Sequence, residues 1–310
     1  MRADLLDVIA VVSNPIRWES RIRLAKDFIE HMLDSGVRLT IVECAHGDRP
    51  HELAGGHYTH VPVRARTLAW QKESMCNVGI ARLPDNARFI ALIDADIKFR
   101  NSSWASDTVH ALQQYQVVQP WSDCYDLGPS DSHAELHRSF CRQWAEGQPI
   151  VQGPKCGPNT PYKFSHPGFA WSYTRTALES VGGLIDTAPL GSADHHMAMA
   201  LIGRVMESVP GNLSAAYSKP MLIWQQRALR HINQNIGYVP GTIEHSHHGP
   251  KRMRNYVSRW DILAKHHFDP ETDLKRNLHG LIELAGNKPL LARDLDRYSR
   301  GRREDQNSID

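Results

Sequence analysis

An α/β fold built on a mostly parallel sheet is what this 310-residue sequence predicts. Three observations predict it. Strand, helix and strand patterns follow one another within about forty residues at the start, a βαβ opening that implies parallel strands and a right-handed crossover. A run of five apolar residues, Phe89-Ile90-Ala91-Leu92-Ile93, reads as a central strand buried on both faces. That strand runs straight into Asp94-Ala95-Asp96, at the carboxyl end where open α/β sheets bind ligands.

The elements follow in order. Leu5 to Val12 is an apolar strand, broken by the turn residues Ser13-Asn14-Pro15. Ile22, Ala25, Phe28 or Ile29, and Met32 recur at helical spacing until Gly36 stops the helix. Val37 to Val42 is a second strand ending in Glu43, and His60 to Arg66 alternates loosely as a short one. Trp70 to Leu83 reads as a helix ended by Pro84; within it Lys72 and Asn77 lie roughly 140° apart, so one faces a ligand while the other caps or packs. Trp104 to Tyr115 is a helix opened by Asn101-Ser102-Ser103, and Val117 to Pro120 a strand. Residues 122–165 are rich in Asp, Ser, Gly, Pro and Gln and read as a functional or mobile loop region. Order resumes with His166 to Tyr173, a helix, and Gly182-Gly183-Leu184. Ser192 then caps a helix with Asp194 in its first turn. Thr242 to Pro250 holds His245, His247 and His248. Beyond it the chain reads as helical and polar, with a disordered last ten residues.

Composition bounds the class. The 41% hydrophobic and 23% charged residues are those of a globular protein, and no apolar run approaches the ~20 residues of a bilayer span. The chain enters its first strand almost at once, leaving no room for a signal peptide. Five scattered cysteines without a CxxC spacing point to reduced thiols, and so to a cytoplasmic location. A net charge of +2 implies no polyanionic partner by itself, although 13 Lys+Arg stand against 10 Asp+Glu in 251–310. They crowd at Lys251-Arg252-Met253-Arg254 and Arg300-Gly301-Arg302-Arg303. Two carboxylates ending a buried strand need compensation, and a hard divalent cation supplies it.

This ordering resembles the GT-A class of nucleotide-sugar glycosyltransferases, in its family-2-like inverting branch, from about residue 7 to 250. Asp94-Ala95-Asp96 matches that family's metal motif, and Gly182-Gly183-Leu184 followed eleven residues later by Asp194 matches its Gly-Gly-Phe/Leu … Glu-Asp pattern, with Ala193 in place of the Glu. His245 or His248 matches the late His of the metal site. Trp70-x-Lys72-Glu73, Asp94-Ala95-Asp96-Ile97, Val118-Gln119-Pro120, His166-Pro167-Gly168, His248-Gly249 and Arg302-Arg303-Glu304-Asp305 are similar to glycosyltransferase-like proteins of tailed phages.

The resemblance implies a GT-A domain over 1–250, with a nucleotide-binding half (1–100), an acceptor half (101–250) and a helical basic extension (251–310). It implies Mn2+ or Mg2+ on Asp94, Asp96 and His248 or His245, and Asp194 as the catalytic base, whose alternative is a plain helix-capping Asp. Ser13, Asn14, Arg17, Arg21, Glu43, Lys72, Asn77 and Asp94 are candidates for contacting a nucleoside-diphosphate sugar, UDP-sugar favoured. Trp171, His195 and His196 are acceptor candidates, each with core packing as the alternative. The implied acceptor is a hydroxyl, 5-hydroxymethylpyrimidine in phage DNA being one option and a glycan or small metabolite others. A sugar-1-phosphate nucleotidyltransferase is the alternative enzyme on such a fold. It would want a glycine-rich loop after the first strand, where Ser13-Asn14-Pro15-Ile16-Arg17 stands.

Overall fold

A computed structural model describes residues 2–53, 55–151 and 165–306. Strand β1 (Leu6–Ser13) leads into helix α1 (Glu19–Asp34), then β2 (Arg38–His46), β3 (Thr59–Ala65), α2 (Lys72–Ile80) and β4 (Phe89–Ile93). After the Asp94–Asp96 turn come β5 (Ile97–Phe99), α3 (Trp104–Ala111), β6 (Val117–Gln119), β7 (Asp123–Leu127), β8 (His133–Ser139) and α4 (Phe140–Ala145). The chain continues through β9 (Ser165–His166), β10 (Ala170–Thr174), α5 (Arg175–Val181), α6 (Ala193–Leu201), α7 (Ala215–His231), β11 (Ile236–Tyr238) and β12 (Thr242–His245). It closes with α8 (Trp260–Lys265), α9 (Pro270–Asp273), the hairpin β13 (Leu274–Arg276) and β14 (Ile282–Leu284), and α10 (Pro289–Arg300).

The main sheet runs β11-β6-β10-β4-β1-β2-β3, and among the described residues β10 alone is antiparallel to its neighbours. Its strands are apolar on both faces because helices cover both. Ile9 and Val42 point to the layer of α2, α5, α6 and α7, while Val8, Ala10, Leu39 and Ile41 point to α1 and α3. This is the mostly parallel mixed sheet, flanked by helices, that the resemblance to the GT-A class implies. A second sheet, β5-β12-β7-β8-β9, crosses the carboxyl ends of the first. β12 pairs antiparallel with β5 and parallel with β7, which sets His245 opposite Ile97, next to the Asp94–Asp96 turn.

Several expectations are corrected. Residues 122–151 are not a mobile loop: they form β7, β8 and α4. The inward face of that ribbon carries Cys124, Asp126 and His137, so no apolar alternation betrays it. Cys156 and the rest of 152–164 lie outside the described residues. Ser192 does not cap α6; its backbone is left-handed (φ 69°) and its hydroxyl pairs with the Arg259 guanidinium. The C-terminal extension is helical in α8–α10 but also contributes the hairpin, which is tied to α2 by Gln71 Nε2 donating to Ile282 O (2.8 Å) and Ile282 N donating to Ser74 Oγ (2.9 Å). The tail is not disordered as far as Gln306: Glu304 is buried, and the Asp305 carboxylate accepts from Glu19 N (3.0 Å) and Ser20 N (2.9 Å). Asp305 thus caps α1, whose own N-cap residue Trp18 provides no acceptor. Residues 307–310 lie outside the described residues. The four described cysteines, Cys44, Cys76, Cys124 and Cys141, are free and buried. No described helix is long and apolar enough to cross a membrane.

Candidate active site

The turn after β4 is held by Asp94 N donating to Phe169 O (2.8 Å), and the Asp96 carbonyl accepts from Ser246 N (2.9 Å) at the end of β12. These bonds bring Asp96 against two imidazoles. Asp96 Oδ2 lies 3.2 Å from His248 Nε2 and 3.7 Å from His245 Nε2, and the two Nε2 atoms are 3.2 Å apart. On the far side of its ring, His245 Nδ1 lies 2.8 Å from Asp126 Oδ1. That contact makes Nδ1 the protonated nitrogen and leaves the Nε2 lone pair facing Asp96. His248 Nε2 accepts from Arg254 Nη2 (3.0 Å), so a metal ion would take this nitrogen's lone pair over from the guanidinium. Asp96 Oδ1 is buried without a hydrogen-bond partner among the described residues. An orphaned carboxylate oxygen and two converging imidazole nitrogens form a donor set that calls for a cation. Asp96, His245 and His248 are close enough to share one ion. Their mixed nitrogen and oxygen chemistry fits manganese better than magnesium. Without metal a proton must serve. Burial lowers the His245 imidazolium, but Asp126 and then Asp96 outweigh it and push its pKa up to about 10. Asp96 is held well below the usual carboxylate range, burial being outweighed by His245 and His248.

Beside this cluster lies a second group of charges. The Lys72 ammonium pairs directly with Asp94. Burial pushes Lys72 down, but Asp94 and then Asp194 and Glu73 outweigh it and raise it above its ordinary value. Asp94 itself is raised by burial, against the pull of Lys72. Asp194 enters from the start of α6, with Oδ1 accepting from His195 N (2.8 Å) and Oδ2 facing Gly168, where an added Cβ would sit 3.3 Å away. Glu73 is buried next to Lys72, and burial pushes its carboxyl up to about 8. Asp94, Asp96, His245, His248, Lys72 and Asp194 thus share one edge of the sheet. Close by, a crevice at the ends of β1 and β2 is lined by Asn14, Glu43, Cys44, His46, Arg49 and Glu52.

Other expected site residues are placed elsewhere or spent on structure. Asn77 holds the Gly-Gly-Leu turn: Oδ1 accepts from Leu184 N (2.8 Å) and Nδ2 donates to Leu184 O (3.0 Å). A Cβ on Gly183 would meet that Oδ1 at 2.8 Å, which together with φ 82° explains the glycine. Glu43 accepts from Glu52 N and Leu53 N and contacts His60 Nε2 (2.8 Å), so its carboxylate is committed to the loop after β2. Asn14 clamps its own turn through Trp18 N and O, each at 2.9 Å. Arg17 is exposed. Arg21 does reach it, through Glu304, and Ser13 faces His46 (3.0 Å) at the crevice. Trp171 is buried in the core with Nε1 donating to Pro167 O (2.6 Å), so it offers no open ring to an acceptor. His196 is fully buried between Ser208 Oγ (2.8 Å) and Tyr217 OH (3.1 Å) and belongs to the core. His195 is half-buried at the start of α6.

Sequence reasoning missed Asp126, His46, Glu73, Arg254 and Glu304. Glu73, Arg254 and Glu304 were in view as parts of the Trp70-x-Lys72-Glu73, Lys251-Arg252-Met253-Arg254 and Arg302-Arg303-Glu304-Asp305 strings, without a site role; Asp126 and His46 come from segments whose proximity only the fold creates.

No protein-family description matches the chain, and no curated protein matches it in sequence. Solved structures give distant likenesses. A mutant of Drosophila β1,4-galactosyltransferase 7 in complex with manganese, UDP-Gal and xylobiose aligns with a TM-score of 0.41 and 11% identity, covering 93% of this chain and 98% of that one. The inositol-1-phosphate CTP transferase of T. maritima gives 0.38 at 7% identity, over 79% and 91% of the two chains. A 4-diphosphocytidyl-2C-methyl-D-erythritol synthase from Anaerococcus prevotii gives 0.36 at 9%, over 77% and 90%. Likenesses this distant say nothing of reaction or ligand.

Proposed function

We propose that the chain is a metal-dependent inverting glycosyltransferase that uses a nucleoside-diphosphate sugar, UDP-sugar first. The observation that carries this reading is the Asp96–His245–His248 cluster with its orphaned Asp96 Oδ1, at the carboxyl edge of a parallel sheet and beside Lys72, Asp94 and Asp194. Asp96, His245 and His248 would hold the ion, which when bound offsets the negative charge gathering on the departing diphosphate. Asp194 takes the proton of the acceptor hydroxyl as its oxygen bonds to the anomeric carbon and the bond from that carbon to the diphosphate breaks. A base on the face opposite the diphosphate gives inversion. Lys72 fixes Asp94 and balances the carboxylates around it.

The nucleotidyltransferase alternative loses support at the loop after β1, where Asn14 closes a tight turn on Trp18 in place of a glycine-rich phosphate loop. A DNA acceptor loses support at the basic clusters: Lys251 pairs with Asp126 and Glu135, Arg300 with Asp296, Arg254 turns inward and Arg302 is buried. A glycan or small-metabolite hydroxyl fits this surface better. The test is product analysis with manganese. UDP release from a UDP-sugar, lost in Asp194→Asn when acceptor is present, supports the proposal; pyrophosphate release from UTP and a sugar-1-phosphate would replace it with nucleotidyl transfer.

A further inference from the structure

We propose that the segment 302–306 is the outer shell of the metal centre, with Glu304 as a positioning residue for His248, so that metal binding and docking of this segment support each other. The inference rests on the metal-site reading given above.

Each imidazole of the cluster has a carboxylate on its Nδ1 side, and His248 also has Arg254 Nη2 at 3.0 Å from Nε2 and 3.4 Å from Nδ1. His245 is backed on Nδ1 by Asp126. His248 Nδ1 has Glu304 Oε2 at 3.6 Å, delivered from a segment that has left α10 and returned across the sheet edge. At that distance the contact is electrostatic rather than a hydrogen bond. A cation on Nε2 makes the Nδ1–H a stronger donor, so its attraction to the carboxylate rises when metal binds.

The segment is seated by more than this contact. Arg21 makes a two-pronged pair with Glu304, one prong at 2.8 Å, and its third nitrogen donates to Ser13 O at the end of β1. Arg302 lies 2.8 Å from Glu304 and its guanidinium carbon is 4.9 Å from the centre of the Trp70 ring. Asp305 caps α1, and Gln306 O lies 3.4 Å from His247 Nε2. Gly249, next to His248, has φ 84°, and a Cβ there would stand 2.8 Å from both Arg303 O and Glu304 Cα. The backbone after the metal ligand therefore touches the backbone of the segment itself. Here a carboxylate is buried at the cost of its hydration and placed against a metal ligand.

Coupling of this kind is reciprocal: the segment tightens the metal as much as the metal tightens the segment. The test uses the full chain without nucleotide, titrating Mn2+ by electron paramagnetic resonance and following tryptic cleavage at Arg302 and Arg303 by mass. Glu304→Gln should weaken Mn2+ binding by roughly 10- to 100-fold, the range of outer-shell substitutions. Mn2+ should slow cleavage at these arginines in wild type and not in Glu304→Gln. Asp305→Asn loosens the segment without touching His248 and should weaken Mn2+ binding by a smaller factor; it carries the test alone if Glu304→Gln does not fold. Mn2+ affinity within twofold of wild type in the folded variants, or cleavage indifferent to Mn2+, overturns the coupling while the metal site stands. Wild type that fails to bind Mn2+ at all overturns the metal site, and the coupling with it.

Discussion

The imidazoles of His245 and His248 turn their Nε2 atoms toward each other at 3.2 Å, with Asp96 Oδ2 within reach of both. The His245 Nε2 lone pair and the Asp96 carboxylate repel unless a cation lies between them, while the Arg254 guanidinium already meets His248 Nε2. In the metal-free protein a proton on His245, whose pKa stands at about 10, supplies that charge. A metal must displace it. Mn2+ affinity should therefore rise with pH by up to about tenfold per unit below 10, with about one proton released per ion. Calorimetry in buffers of different ionisation enthalpy measures that release. Asp126→Asn, which weakens the partner of His245 Nδ1, should cost roughly 10- to 100-fold in Mn2+ affinity.

Asn77 stands among residues expected to meet the nucleotide, yet its amide is consumed by the Leu184 backbone. Asn77→Ala leaves a backbone N–H and C=O unpartnered and should destabilise the fold by about 1–3 kcal/mol. Nucleotide affinity of the folded fraction should be unchanged. Urea melts and a binding isotherm check the two halves; a loss of affinity without loss of stability would return Asn77 to the nucleotide site.

Glu73 sets one arm of the pH dependence. Its carboxyl holds its proton up to about 8 in the fold, against an ordinary 4.5. Between those values the folded state binds the extra proton, so stability falls as pH rises, by up to about 1.4 kcal/mol per unit from this group. Glu73→Gln is neutral throughout and removes the slope. Its Tm should exceed that of wild type at pH 8 and converge on it near pH 4.5.

The histidines set the other arm. Burial lowers His196 to about 3 and His46 to about 4, from 6.5. Below pH 6.5 the unfolded chain takes up protons that these rings refuse, so stability falls as pH falls. Each contributes up to about 1.4 kcal/mol per unit until its folded pKa is reached. Urea melts at pH 7, 6 and 5 should show a steepening loss, and His46→Gln should make it shallower.

What the sequence revealed and hid follows from where the information sits. The Asp94–Asp96 turn is legible because five apolar residues announce a buried strand that two carboxylates cannot end without a partner. His245 and His248 are legible as a local cluster. Asp126 is not, because it sits on a ribbon whose inward face is polar, so the alternation that marks a strand is missing. Glu304 is hidden by the tail's charged composition, which reads as disorder until Arg21, Arg302 and the start of α1 are seen to receive it. Asn77, Glu43 and Asn14 mislead for a common reason: a polar residue near a ligand edge is equally able to satisfy the loops that build that edge. Trp171 and His196 turn inward because β10 is a central strand and α6 packs on α7.

The most direct test of the account is calorimetric binding of UDP, with and without Mn2+, to wild type and to Asp96→Ala. Manganese-dependent binding that disappears in Asp96→Ala is the predicted result, since Asp96 is the carboxylate shared by His245 and His248. Equal binding in both proteins would remove Asp96 from the metal site, and no binding of UDP or other nucleoside diphosphates to wild type would contradict the glycosyltransferase reading as a whole.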